Sequence, residues 1–522
     1  MAEDVLIYAL VALAAIVVYE IVRSLVVRAV AKRVRRGAHE FVRRHDVRLD
    51  QFKFMNKAFI EAELMNDPEL SVKMVDAARA TNKTMLEVRE EVASWIDEIV
   101  PFFNLSSYFK LGQPIAGLAL KAVYDITIDK PAAEAMQASL PPGAVLVYVM
   151  NHRSNADYVL VAYALRRKIA LSYAVGEWAR VWPLEGLFKS FGSYFIRRRF
   201  PNPLYHSLLE KYVQLISKRG VSQGVFPEGG LSRDGLLRSP KVGILGYVAG
   251  ITSDPEFAGE VYFVPVGINY DLVLEDRALL GERLGRRPWA PLRFAQKLGS
   301  LLLLCVRLPW TLVANLARLF TGRVKRHGHA AVSFGVPVPL KRLLERAPDF
   351  ASLDRDGRKP HLQQFAHDLM TAIGAAVPAT PVPIVARVLL AHGDGPIGRT
   401  ELITRVRDLR QALRERGARF AGSGRLASWA EGRVQLETQR DDRRSDLLDV
   451  DESVIGWDEA EATVEQALAV LTPRKLVTVK ADAIAAVPKE RPVLHYYANS
   501  IAQLCGGPID TPDAPHRPRD RQ

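Results

Sequence analysis

The chain has 522 residues, 48% hydrophobic and 25% charged, enough apolar material for two to four domains and too much for a disordered chain. Lys and Arg number 71 against 58 Asp and Glu, a net charge of +13 that suits a membrane surface or phosphorylated substrates. No zinc finger, aromatic RNA-binding signature or basic recognition helix is present, so nucleic acid is not an expected partner. The two cysteines, Cys305 and Cys505, are far apart and lack metal-ligand spacing, which points to a reducing compartment without a disulfide framework.

Residues 5–19 form an unbroken apolar run, extended past Glu20 by Ile21, Val22, Leu25, Val26 and Val27. That is close to the roughly 20 residues that span a bilayer. Glu3 and Asp4 precede it and Arg23, Arg28, Lys32, Arg33, Arg35 and Arg36 follow, so the charge asymmetry predicts a cytoplasmic chain after it. An interfacial helix is the other reading, because Glu20 and Arg23 intrude. Residues 38–125 read as helical, with Met85, Val88, Val92, Trp95, Ile96 and Ile99 at three- and four-residue steps as a packing stripe.

From about 140 the pattern becomes strand–helix alternation. Strands are expected at 145–150, 169–175, 193–196, 221–226, 261–269 and 330–334, and helices at 158–167, 204–218 and 241–250. Apolar strands alternating with helices predict an α/β domain. The leucine-rich stretch 298–320, broken by Arg307 and Pro309, fits a membrane-lying element or a buried helix. Beyond Pro348 the chain turns polar. Helices are expected at 365–375, 382–390, 401–414 and 459–471, a polar loop at 421–450, and a hairpin pairing 476–479 with 484–487. The expected organisation is a membrane anchor 1–36, a helical region 37–130, an α/β domain 131–345, a mainly helical domain 346–505 and a disordered tail 506–522.

Four segments of the α/β region carry polar residues where a strand ends, which is where α/β sheets bind ligands. The first places His152 and Asp157 between a strand and a helix. A histidine titrates near neutral pH and serves as a base, and an aspartate five residues on can hold its tautomer. A lone His-x4-Asp is weak; a helix-capping Asp beside an incidental His is the plainer alternative. The second is Phe195-Ile196-Arg197-Arg198-Arg199, whose guanidinium groups could grip phosphate or form a solvated basic turn. The third, Phe226 to Gly235, holds Glu228, the pair Gly229-Gly230, Ser232 and Arg233. Paired glycines admit an anion close to the backbone, or make an ordinary turn. The fourth, Val264-Pro265-Val266, is a buried strand whose proline marks an edge or a deliberate bend near a site.

In this order and spacing, His-x4-Asp, Phe-Ile-Arg-Arg, Pro-Glu-Gly-Gly-x-Ser-Arg-x-Gly and Val-Pro-Val resemble the four blocks of the glycerolipid acyltransferases. Asn-His-Arg-Ser-x-x-Asp-Tyr and Gly-Ser-Tyr-Phe-Ile-Arg-Arg most resemble the glycerol-3-phosphate acyltransferase branch, shared with dihydroxyacetone-phosphate acyltransferases. The resemblance covers about 145–275, with a fainter match at residues 494–500, a tyrosine-pair segment. It implies a mixed sheet flanked by helices and transfer of an acyl group from acyl-CoA or acyl-carrier protein to the sn-1 hydroxyl of glycerol 3-phosphate. No metal or other cofactor is implied, and the site would lie on the cytoplasmic side of the inner membrane, among membrane lipids. It further implies that His152 is the base and Asp157 its partner. Arg197, Arg198, Ser232 and Arg233, with the Gly229 amide, would hold the phosphate beside Gly230; Glu228 would bind an acceptor hydroxyl; Pro265 would shape the wall. One departure is Leu231, where the branch usually has arginine. It keeps dihydroxyacetone phosphate, lysophosphatidate and other lysolipids open as acceptors. A hydrolase using His152 and Asp157 on water, or through a metal, and a non-catalytic scaffold are the readings from other classes.

Overall fold

The computed structural model describes residues 57–102, 112–166, 171–176, 184–197, 200–283, 327–421 and 452–509. The expected anchor at 1–36, the leucine-rich stretch 298–320 and the polar loop 421–450, after Ala421, lie outside them, as do Arg198 and the tail from 510. Among the described residues no helix is long and apolar enough to cross a membrane.

The strands in chain order are β1 (Asp125–Ile128), β2 (Val145–Met150), β3 (Ser172–Gly176), β4 (Tyr194–Ile196), β5 (Gln223–Val225), β6 (Val261–Tyr270), β7 (His329–Phe334), β8 (Val338–Pro339), β9 (Ile397–Gly398), β10 (Val477–Lys480) and β11 (Ala483–Ala486). The chain forms two compact units, Met1–Ala116 with Leu165–Tyr205, and Gly117–Ala164 with His206–Gln522. The expected boundary near 346 falls inside the second.

In the first unit the helices Lys57–Met65, Pro68–Thr81 and Met85–Ile99 pack on one another, and β3 pairs with β4 in parallel. Helix Met85–Ile99 starts at a capping box in which Thr84 and Glu87 satisfy each other's backbone amides. Its stripe is buried at Val88, Val92, Trp95, Ile96 and Ile99, while Met85, in the first turn, is exposed. Trp95 meets Phe200 and Tyr205 edge-on, at 5.8 and 5.6 Å between ring centroids.

The second unit is built on a mixed sheet ordered β1-β7-β6-β2-β5, with β8 also beside β6. β2 runs parallel to both β5 and β6, and β7 runs antiparallel to β6. All six residues of β2 are buried, as the unbroken run Val-Leu-Val-Tyr-Val-Met requires of a strand covered on both faces. β1, expected to be helical, is a strand because Asp125 to Ile128 pair in parallel with His329 to Val332, a partner two hundred residues away.

β6 is central, so its proline is not an edge marker. Tyr262 and Phe263 pair with β8, and Val266 to Tyr270 pair with β7. Pro265 falls in the gap between, where no amide is required on that side, and its carbonyl accepts from Gly335 N at 2.8 Å. Helix Arg355–Ala376 packs on β6. Asp271, at the end of β6, accepts from the backbone amides of His329 (2.7 Å) and Val382 (2.8 Å), tying the sheet to the start of helix Pro381–His392. Beyond it β9, β10 and β11 make a small antiparallel sheet that includes the expected hairpin.

Candidate functional site

β2 delivers the first segment to its place. Its last pairing with β6 is Met150 with Val266. Asn151 then substitutes its side-chain amide for the next strand residue: Oδ1 accepts from Ile268 N at 2.8 Å and Nδ2 donates to Ile268 O at 2.9 Å. The backbone is thereby free to leave the sheet at His152 without an unsatisfied edge.

His152 is held from every side. Its amide donates to Glu228 Oε1 at 2.9 Å and its carbonyl accepts from Ser232 N at 2.9 Å. Its ring stacks on Phe226 at 4.0 Å and meets Tyr158 edge-on at 5.6 Å. Nδ1 lies 2.9 Å from Asp157 Oδ2, and Nε2 bonds to no described residue.

Asp157 opens helix Asp157–Leu165 and is fully buried. Oδ2 also accepts from Arg153 N (2.7 Å) and Ser154 N (3.0 Å), and Oδ1 accepts from Tyr270 OH (2.7 Å). With two backbone amides already facing it, Oδ2 can only accept, so Nδ1 carries the proton and Nε2 keeps its lone pair. Burial and the Asp157 charge push the Tyr270 phenol well above its usual value, so it stays a donor.

Glu228 departs from its expected part. Both carboxylate oxygens face backbone amides, His152 N on Oε1 and Arg238 N on Oε2 at 3.1 Å, so it fixes two loops rather than greeting an acceptor hydroxyl. Burial raises its carboxyl to about 7, against Arg153, the two amides and Arg238, which favour the charged form.

The expected phosphate contacts are turned to other partners. The Gly229 amide donates to Phe226 O at 3.0 Å, closing the turn. Ser232 is buried and its hydroxyl donates to Leu236 O at 2.7 Å. Arg233 is half exposed and pairs with Glu282 at 3.0 Å. Arg197, in the first unit, donates through Nε to Glu98 at 2.9 Å and stacks over Phe200 at 4.8 Å. Arg198 lies outside the described residues. The buried Pro265 packs beside Gly335. Among the described residues no cluster of three His, Cys, Asp or Glu could hold a metal ion.

Several residues of the site were not anticipated. Glu275 clamps the loop after His152, accepting from Ser154 Oγ (2.8 Å) and from Asn155 N and Nδ2 (3.2 and 3.1 Å). Arg153 is buried and donates to Gly235 O and, at 3.0 Å, to Ser500 O. Helix Arg491–Asn499 closes on that glycine: a Cβ on Gly235, at φ +81°, would lie 1.8 Å from Tyr496 O. Asn499 Nδ2 donates to Asp234 O at 2.9 Å, and Tyr497 OH donates to Asp276 Oδ2 at 2.6 Å, where Arg474 also pairs at 2.8 Å. The tyrosine-pair segment is thus part of the scaffold beneath the histidine loop. Arg153 stood inside the quoted Asn-His-Arg-Ser stretch; Tyr270 and Glu275 lie past the Val-Pro-Val block and had no signal beyond their neighbourhood.

A family model described as Acyltransferase matches residues 134–269, the stretch that holds this network, and one described as Glycerol-3-phosphate acyltransferase C-terminal region matches 313–436. The chain thus carries a region similar to acyltransferases, followed by one similar to the C-terminal region of glycerol-3-phosphate acyltransferases. It is 26% identical over 386 residues to a glycerol-3-phosphate acyltransferase of Aeromonas hydrophila subsp. hydrophila, covering 72% of this chain and 44% of that protein. The protein of that name from Glaesserella parasuis serovar 5 is 28% identical over 367 residues, 67% of this chain and 42% of its own. The chain therefore spans less than half the length of these relatives. The solved 1-acyl-sn-glycerophosphate (LPA) acyltransferase of Thermotoga maritima is 16% identical with a TM-score of 0.27, over 51% of this chain and 81% of that one, too slight a likeness to position any residue.

Proposed function

We propose that the chain transfers an acyl group from a thioester, acyl-CoA or acyl-carrier protein, to the sn-1 hydroxyl of glycerol 3-phosphate. The observation that carries this is the His152–Asp157 pair, buried, 2.9 Å apart and fixed by backbone bonds on both partners, inside the region matching acyltransferases. His152 Nε2 takes the proton of the acceptor hydroxyl as that oxygen attacks the thioester carbonyl. Asp157 holds the ring and faces the imidazolium that forms. Collapse of the tetrahedral intermediate expels the thiolate, which takes the proton back from His152. The thioester is already activated, so no covalent intermediate with the chain need form. The charge asymmetry around residues 5–36 supports the same reading, with an anchored enzyme working at the cytoplasmic face, where its product enters lipid.

The test is acyl transfer by the full chain in membranes to radiolabelled glycerol 3-phosphate, with acyl-CoA and acyl-carrier protein in parallel arms. His152→Ala should lower turnover about 10²–10⁴-fold with no change in expression or membrane association. Retention of more than about a tenth of wild-type turnover, below that range, would exclude His152 as the base.

A further inference from the structure

Among the described residues of the second unit, two cations without an ion-pair partner stand beside the glycine turn and are not ones the motifs name. Arg233 is engaged by Glu282, and Arg283 pairs with Asp234 at 3.2 Å. Arg238 and Lys241 have no carboxylate within ion-pair distance among the described residues. Their backbones are pinned nonetheless. Arg238 N donates to Glu228 Oε2 at 3.1 Å and Lys241 N to Pro227 O at 2.8 Å. The segment 236–241 therefore returns over Pro227-Glu228-Gly229-Gly230.

Both side chains lie across the glycine pair. A Cβ on Gly229, at φ +65°, would be 2.8 Å from Lys241 Cδ, and one on Gly230 would be 3.1 Å from Arg238 Nη1. The same Nη1 is 3.4 Å from Leu231 O. The amides of Gly230 and Leu231 donate to no described residue. An anion seated on this turn would meet two backbone donors and two cations. Glu228 sets the distance to the chemistry, since one of its oxygens holds the Arg238 amide and the other the His152 amide.

We propose that Arg238 and Lys241 bind the acceptor's phosphate monoester, and that Arg238 puts a guanidinium where Leu231 lacks one. That the phosphate belongs to the acceptor rests on the function proposed above; that a phosphate binds here does not. Two measurements on the full chain separate them. Calorimetric titration with inorganic phosphate at low salt should show affinity weakened at least about 10-fold in Arg238→Ala and in Lys241→Ala. The KM for glycerol 3-phosphate should rise about 10- to 100-fold in each, with kcat and the KM for the acyl donor held within a few-fold. Arg238→Gln keeps the backbone donor and much of the stem, and replaces Arg238→Ala if that variant does not fold. Phosphate affinity unchanged in both folded variants overturns the site. A rise confined to the donor's KM also overturns it, because the cations then grip the carrier. Weakened phosphate binding, in a protein that acylates no glycerol 3-phosphate even as wild type, supports the phosphate site and sinks the acceptor reading.

Discussion

Replacing Asp157 with asparagine separates the two things its carboxylate does. Oδ2 accepts from His152 Nδ1 and from the amides of Arg153 and Ser154, and Oδ1 accepts from Tyr270 OH. An asparagine oxygen is forced to the Oδ2 position, because an NH2 group there would face two backbone N–H donors. The amide nitrogen then points at Tyr270, whose hydroxyl can turn to accept. The histidine tautomer is kept and only the charge is lost. A hydrogen bond to a charged partner is worth about 1.5–3 kcal/mol and a neutral one about 0.5–1.5, so roughly 1–2 kcal/mol disappears. That is about 5- to 30-fold in kcat, with the acceptor KM unchanged. Where the corresponding change in a serine protease forces the wrong tautomer, the loss is about 10⁴-fold. Asp157→Ala is a different perturbation: it strands two buried amides and a phenol at about 1–3 kcal/mol each and should fail largely through stability. The assay is steady-state kinetics beside thermal unfolding, with ¹⁵N NMR of the imidazole to read the tautomer. A loss of 10⁴-fold in a folded Asp157→Asn enzyme, or none at all, would refute the reasoning.

Other expectations follow from the same network. Tyr270→Phe removes the 2.7 Å bond to Asp157 Oδ1 and should cost about 1.5–3 kcal/mol of stability, measured by urea unfolding; an unchanged midpoint would show the bond to be idle. Tyr497→Phe leaves Val273 N and part of Asp276 unsatisfied, and should cost about 1–3 kcal/mol although residue 497 is remote in sequence from every catalytic block; thermal unfolding checks it. Glu228, raised from 4.5 to about 7 by burial, holds its proton in the folded state where the unfolded chain has lost it. Its stabilising contribution is complete below pH 4.5 and fades as pH rises to 7, on the order of 3 kcal/mol. Glu228→Gln should flatten denaturant midpoints across that window, and an identical slope in the variant would count against the assignment.

The α/β pattern and the His152–Asp157 pair were legible because both depend on local order. An unbroken apolar run is a buried strand, and five residues suffice to turn from His152 into the helix at Asp157. What supports them was not legible. Tyr270, Glu275 and Ser500 reach the histidine loop from 113 to 347 residues away, and no spacing encodes such distances. β1 read as helix because its partner β7 lies beyond any window. Arg197 looked like a phosphate ligand because the carboxylate that holds it, Glu98, sits ninety-nine residues upstream. The bonds of Glu228 to two backbone amides could not be read from side-chain identity.

The bond from Arg153 to the Ser500 carbonyl spans 347 residues. At about 5–20 residues per second of synthesis, the strand that presents His152 leaves the ribosome tens of seconds before the carbonyl that seats its neighbouring arginine exists. Until then a guanidinium destined for burial stays in water, and the loop at Gly235 has nothing to close against. The newborn chain therefore carries His152 early and the groups that seat its loop late.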